Sequence, residues 1–139
     1  MPDFSFEKAL WKKNYKAVAG VDEVGRGSFA GPVVAGCVVF HSIFNEALVI
    51  NDSKKLTSIQ REKADKWIKE NALCWGIGEA SVTEINRLGI VKATEKAFRR
   101  AIANCTLSIN YLHKFHKKEK TRFYHMLIKV NDKKNHILY

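Results

Sequence analysis

No stretch of eighteen apolar residues occurs anywhere in these 139 residues, which excludes a long hydrophobic membrane-spanning helix. The opening Met1-Pro2-Asp3-Phe4-Ser5 lacks the charged-then-apolar order of a secretory leader, so the expectation is a soluble cytoplasmic protein with no membrane partner. Cysteine is sparse. Cys37, Cys74 and Cys105 are odd in number, widely spaced, and form no C-x-x-C pair, which removes the usual zinc and dithiol signatures. All three are expected to be small core residues. Repeats and low-complexity tracts are also missing, so solenoids and long linkers are excluded. What remains is enough for one domain, with 46% hydrophobic residues and a modest core.

Charge is present and unbalanced. Lys and Arg number 24 against 14 acids, a formal net charge of +10. Clustered cations gain free energy by displacing counterions from phosphates, so a polyanionic partner is favoured. The excess is uneven: from Tyr111 onward there are eight Lys and Arg against two acids, so +6 of the +10 lies there. On charge alone, a solvated basic surface explains the composition as well as nucleic-acid binding does.

Hydrophobic periodicity predicts alternating strands and helices. Residues 4–16 form an amphipathic lead-in, with Phe6, Leu10 and Trp11 on one helical face. Residues 17–21 are a short apolar run ending at two carboxylates. After a glycine-rich turn over 25–31, residues 33–40 are β-branched and continuously apolar, which suggests a central strand. Residues 47–51 are weakly extended. Thr57 and Gln60 form a capping box that opens a helix over 58–71. Residues 73–81 alternate with glycine as a third strand. Ser81 and Glu84 form a second capping box, opening a short helix that Gly89 can end. A helix over 90–104 places Val91, Phe98, Ala101, Ile102 and Cys105 toward the core and leaves Lys92, Lys96, Arg99 and Arg100 for water. Trp67, Trp75 and Phe98 are expected to be core aromatics.

Asp22-Glu23-Val24-Gly25-Arg26-Gly27 carries the chemistry. Adjacent carboxylates on a regular strand point to opposite faces, so both can serve one metal only if the chain bends, and the glycines that follow permit a bend. Hard oxygen donors suit Mg2+ or Mn2+. A solvated acidic pair before a turn is the plain alternative. Residues 25–30 also match G-x-G-x-x-A, but a dinucleotide site needs a helix to start at those glycines, and a strand follows instead. The amides of the Gly-Arg-Gly turn can still approach a phosphate or sugar, with Arg26 adding charge or pairing with Asp22 or Glu23.

Three blocks in order, Ala19 to Gly27, Ala30-Gly31-Pro32-Val33-Val34-Ala35, and Asp52-Ser53-Lys54-Lys55-Leu56, resemble the ribonuclease HII family, and the likeness continues to about Ala103. The resemblance implies an α/β fold with a ribonuclease H-like mixed sheet flanked by helices, incomplete at the C-terminus. It implies endonucleolytic cleavage of RNA in RNA–DNA hybrids and at ribonucleotides embedded in duplex DNA, with two Mn2+ or Mg2+ ions held by four carboxylates. Asp22 and Glu23 match the first two carboxylates. Gly25, Arg26 and Gly27 match the turn that reads the ribonucleotide 2′-hydroxyl, and Ser53 and Lys54 match positions near the nucleic-acid backbone. Lys54 and Lys55 are otherwise exposed lysines opposing a helix dipole.

Past Leu112 the pattern changes. Where the family's next strand ends in Asp-Gly, this chain has His113 and Lys114, and only Asp132 faintly echoes the fourth carboxylate. The expected division is a catalytic part over residues 1–112 and a divergent basic tail over 113–139, as if translated in a shifted frame or truncated. The family's closing segments and its substrate-reading tyrosine are not expected in these residues. Two acids of four should hold metal weakly, so impaired turnover by a monomer is expected. Two other readings are a non-catalytic basic module that binds nucleic acid and an inactive fragment.

Overall fold

The computed structural model describes residues 5–27, 30–41, 55–105 and 111–114. Among these, the chain runs α1 (Ser5–Lys12), β1 (Val18–Val24), β2 (Val33–Val39), α2 (Ser58–Asn71), β3 (Cys74–Ala80), α3 (Val82–Leu88), α4 (Ile90–Ala103) and β4 (Tyr111–Lys114). The strands form one mixed sheet in the order β3-β2-β1-β4, with β1 antiparallel to β2, β2 antiparallel to β3, and β4 parallel to β1. The valine-rich β2 is central, as its composition predicts. Its burial nevertheless alternates along the strand, with Gly36 exposed on the face away from the core.

Both capping boxes form. Thr57 Oγ1 accepts from the Gln60 amide at 3.3 Å while the Thr57 amide donates to Gln60 Oε1 at 2.8 Å, and Ser81 and Glu84 repeat the exchange. These reciprocal bonds satisfy amides that a helix start would otherwise leave without partners. They explain why α2 begins at Ser58 and α3 at Val82. Gly89, at φ 79°, ends α3 and lets α4 start in a new direction. The lead-in helix is shorter than its amphipathic pattern suggests. Asn14 adopts φ 69° and closes α1, with the Tyr15 amide donating to the Leu10 carbonyl. The weak extension over residues 47–51 lies outside the described residues.

The core is one layer between the sheet and α4. Val33, Ala35, Cys37 and Val39 of β2, Ala19 and Val21 of β1, and Cys74 and Ala80 of β3 meet Ala93, Ala97 and Ala101 of α4. Fully burying a side chain such as Val33 or Val39 contributes roughly 1.5–3 kcal/mol. Glycine decides how close the helix comes. A Cβ at Gly78 would overlap the Ala97 carbonyl oxygen and the Ala101 amide, and one at Gly76 would overlap the Ala101 carbonyl oxygen.

That contact corrects one member of the face expected for α4 and adds others. Ala101 and Cys105 are buried and Phe98 and Ile102 pack against the core, but Val91 is 62% exposed, and Ala93, Thr94 and Ala97 are buried instead. Small residues win because only they fit against a glycine strand at this distance. Lys96 and Arg100 are not simply left to water either. Arg100 donates to Glu84 through Nη1 at 2.7 Å and Nη2 at 2.9 Å, and to the Glu79 carbonyl, while Lys96 also reaches Glu84. This cluster ties α3 and the end of β3 to α4.

The aromatic expectation is also corrected. Trp75 lies on the sheet face opposite α4 and is 42% exposed, with the Lys69 ammonium 5.2 Å from its ring centroid. Trp67 is half-buried and stands 6.0 Å from the Phe40 ring. All three cysteines are core residues as expected, but two are not free. Cys74 and Cys105 are joined as a disulfide, leaving Cys37 as the buried free thiol among the described residues.

Two predictions follow from this packing. Gly78→Ala should destabilise the chain by roughly 2 kcal/mol or more in urea unfolding, because the added methyl meets helix backbone that cannot rotate away. The second concerns Glu84. Its hydrogen bonds from Arg100, then from Lys96 and the Ser81 amide, hold its carboxyl well below the usual range. A depressed folded-state pKa gives stability that is present above the unfolded value and lost as pH falls toward the folded one. The stability advantage of the wild type over Glu84→Gln should therefore be full at neutral pH and shrink between roughly pH 5 and pH 2. An advantage that does not change over that range would show that the cluster does not respond to protonation.

Candidate metal and nucleic-acid site

β1 carries the acidic pair inside the strand. Pairing with β2 stays regular through Asp22↔Gly36, Glu23↔Ala35 and Val24↔Val34, so the strand does not stop at the carboxylates as its apolar run suggests. The ladder's hydrogen bonds hold the backbone extended one residue past Glu23, and the turn begins only at Gly25. Alternation then places Glu23 on the α4 side of the sheet with Val21 and Ala35, and Asp22 on the other side with Gly36.

Local bonds shape both acids. Asp22 Oδ1 accepts from the Glu23 amide at 2.9 Å, which leans the carboxylate along the strand toward the turn. Glu23 Oε1 lies 3.5 Å from Arg26 Nη1, at the outer limit of a hydrogen bond. This is the ion pair that the residue types allow, and it is loose. Asp22 is exposed, whereas the Glu23 side chain retains only 13% of its exposure.

The turn is held by a close approach. Gly25 adopts φ 88°, and a Cβ there would stand 2.5 Å from the Pro32 carbonyl oxygen. A glycine is needed on both counts. The chain therefore turns tightly against the start of β2 and presents Arg26 and Gly27 to solvent beside the acids. Nothing lies within 4 Å of a Cβ at Gly27, so this part of the turn is open. Asp22, Glu23, Gly25, Arg26 and Gly27 thus occupy one corner of the sheet. Ser53 and Lys54 lie outside the described residues. Lys55, beside them, is exposed ahead of α2.

The sequence pattern does not single out Gly36, which stands level with Asp22 on β2 and has open space where its Cβ would be. A lone glycine within a valine-rich strand is the available signal, since such positions often mark a close approach. On the other flank, β4 sets His113 level with Gly20 and Lys114 level with Val21. No group of three or more His, Cys, Asp or Glu is placed to hold a metal among the described residues. No helix among them is long and apolar enough to cross a membrane.

The family model described as Ribonuclease HII matches residues 19–134. The chain is 43% identical over 106 residues to the ribonuclease HII of Desulfitobacterium hafniense (strain DSM 10664 / DCB-2), an overlap of 76% of this chain and 40% of that one. Among solved structures it is similar to the ribonuclease H2 from Pyrococcus horikoshii OT3, with TM-score 0.59 and 28% identity over 70% of this chain and 49% of that chain. It shares a fold with Bst-RNase HIII in complex with Mn2+, with TM-score 0.55 and 18% identity over 76% of this chain and 38% of that chain. The architecture is thus α/β and ribonuclease H-like. The chain spans about 40% of the length of the curated Desulfitobacterium relative.

The turn itself is open to test. Gly25→Ala should cost roughly 1–3 kcal/mol, from the positive φ together with the clash against Pro32. Amide chemical shifts should change at residues 25–27 while those of α3 and α4 stay in place. A neutral substitution would mean that the turn is not held by this approach.

Proposed function

Because this chain belongs to the ribonuclease HII family, we propose that it acts on RNA–DNA hybrid duplexes and on ribonucleotides embedded in duplex DNA, cutting the phosphodiester by metal-assisted hydrolysis. The observation that carries this reading is the acidic pair running directly into a glycine turn with an exposed arginine. Family membership supports the substrate class, and the net charge of +10 suits a polyanion.

The donor set fits a hard divalent ion in kind, because Asp22 and Glu23 both offer carboxylate oxygens beside the turn. The unbent strand sets them on opposite faces, so sharing one ion requires both side chains to turn toward the same edge. Those two residues would hold Mn2+ or Mg2+, and the fold is shared with a ribonuclease HIII whose Mn2+ complex is known. When bound, such an ion supplies Lewis-acid stabilisation of the phosphate and a more acidic water. The chain's own contribution is to position the substrate. The open amides around Gly27 can approach a sugar hydroxyl closely, which is how a 2′-hydroxyl would distinguish RNA from DNA at this point. Arg26 has reach for a phosphate oxygen, and its loose contact with Glu23 is weak enough to exchange for one. Ser53 and Lys54 are assigned to the nucleic-acid backbone.

In number the acids fall short. The reading assigns two carboxylates to a site that needs four for two ions, with Asp132 the candidate for the fourth. Affinity for hard cations follows ligand charge and count, so metal binding is weak and turnover by this chain is impaired. The chain is taken to work as a cytoplasmic monomer, with residues 1–112 as the catalytic part and 113–139 as a basic tail.

A duplex containing one ribonucleotide tests the assignment. Slow cleavage at that nucleotide should appear with Mn2+, vanish with a chelator, and fall by about 100-fold or more in Asp22→Asn. Cleavage indifferent to Asp22→Asn would overturn the assigned site. Salt-sensitive duplex binding with no scission at any Mn2+ concentration would replace the nuclease by a non-catalytic nucleic-acid-binding module.

A further inference from the structure

We propose that Cys74 and Cys105 form a reversible thiol–disulfide clamp, which on oxidation fixes the end of α4, and with it the departure of the chain toward β4, against the start of β3. The inference does not depend on the nuclease reading.

The positions of the pair carry it. Cys74 is the first residue of β3, and Cys105 follows the C-cap residue Asn104 of α4. They are 31 residues apart in sequence, yet their Cα atoms are 5.6 Å apart, within the range a disulfide bridges without backbone movement. Both are buried in the core cluster, at 6% and 5% exposure. The same corner is already drawn together by other means. Asn104 Nδ2 donates to the Ile77 carbonyl at 2.8 Å, and the absent side chain of Gly76 gives the Cys105 amide its place. Helix and strand thus preform the cysteine pair, so the covalent bond needs no rearrangement.

Cys37 is the third thiol on this face of the sheet, standing level with Gly76. Burial pushes its thiol up to about 11, so it stays protonated at neutral pH and is a poor nucleophile. Cys74 and Cys105 are buried as well, so what singles them out is their 5.6 Å Cα separation, and Cys37 serves as a built-in control for the specificity of pairing.

The chemistry balances with a small-molecule disulfide such as oxidised glutathione as the oxidant. One thiolate of the pair attacks a sulfur of that disulfide, breaking its S–S bond, forming a mixed disulfide and releasing one thiol. The second thiolate then attacks the protein sulfur of the mixed disulfide, forms the Cys74–Cys105 bond and releases the other thiol. The two protons of the cysteines leave on the released thiols, and excess thiol reverses both steps.

The consequence falls on β4. Five residues separate Cys105 from Tyr111, so anchoring Cys105 limits where the strand beside β1 can move. Closing a 31-residue separation also restricts the unfolded chain.

The test uses the full chain, purified reduced and then equilibrated with oxidised or reduced glutathione. Mass spectrometry after alkylation should find a linked Cys74–Cys105 peptide in the oxidised sample, with Cys37 unlinked. Oxidation should raise Tm by about 10 °C. It should also slow amide exchange in β4, and excess dithiothreitol should reverse both effects. Cys37→Ala should keep the Tm shift and Cys105→Ala should lose it. If Cys105→Ala does not fold, the comparison of oxidised and reduced wild type still decides. A chain that stays fully alkylatable in oxidised glutathione, a linkage through Cys37, an unchanged Tm, or a cross-link that native-state reduction cannot open would each overturn the clamp.

Discussion

Everything in this fold depends on how closely one helix can lie on one strand. Gly76 and Gly78 leave no side chain at the middle of the inner face of β3, between Cys74 and Ala80, and Ala93, Ala97 and Ala101 bring the smallest helix-forming side chain to meet them. Backbone then packs nearly against backbone, which excludes water and gives many dispersion contacts at short range. Because α4 is held this tightly, it crosses from β3 over β2 toward β1 and delivers the chain to β4, parallel to β1. The Glu84–Arg100 bonds and the Cys74–Cys105 bond are tied to the two ends of the same interface.

Local signals were legible where local physics decides. The two capping boxes, the glycine between α3 and α4, and the valine-rich central strand could all be read from residue types, since each depends on a few neighbouring backbone groups. The buried face of α4 was legible only in part. Phe98, Ala101, Ile102 and Cys105 lie in or against the core, but Val91, which by hydrophobicity belongs inside, is exposed, and close approach to a glycine-lined strand buries Ala93 and Ala97 instead. Trp75 misleads for a related reason. Its alternation along β3 correctly puts it opposite Gly76, but the face it occupies is not the one that α4 covers. The Cys74–Cys105 proximity is a fact of tertiary packing, and no short motif announces it.

At the corner of β1, the motif was legible while its geometry was not. Asp22-Glu23-Val24-Gly25-Arg26-Gly27 names the groups, and a bend between the acids is the simplest way to point both at one ion. The sheet instead keeps both residues in register with β2 and postpones the turn to Gly25. Asp22 leans along the strand over the Glu23 amide on one face of the sheet, and Glu23 is held near Arg26 on the other. A regular strand is the more rigid support, because ladder hydrogen bonds fix both Cα positions. The glycine turn serves a different purpose and opens backbone beside the acids.

The parallel register of β4 limits what this corner can become. A strand alongside β1 is the natural source of a further ligand, because its end reaches the same edge of the sheet. The residues level with Gly20 and Val21 are His113 and Lys114. Neither residue type is a hard anionic donor. Arg26, itself cationic, already contacts Glu23. On the proposed reading, a corner with two acids beside Arg26 would hold a divalent ion best with a phosphodiester present to complete its coordination, which would couple metal binding to substrate binding.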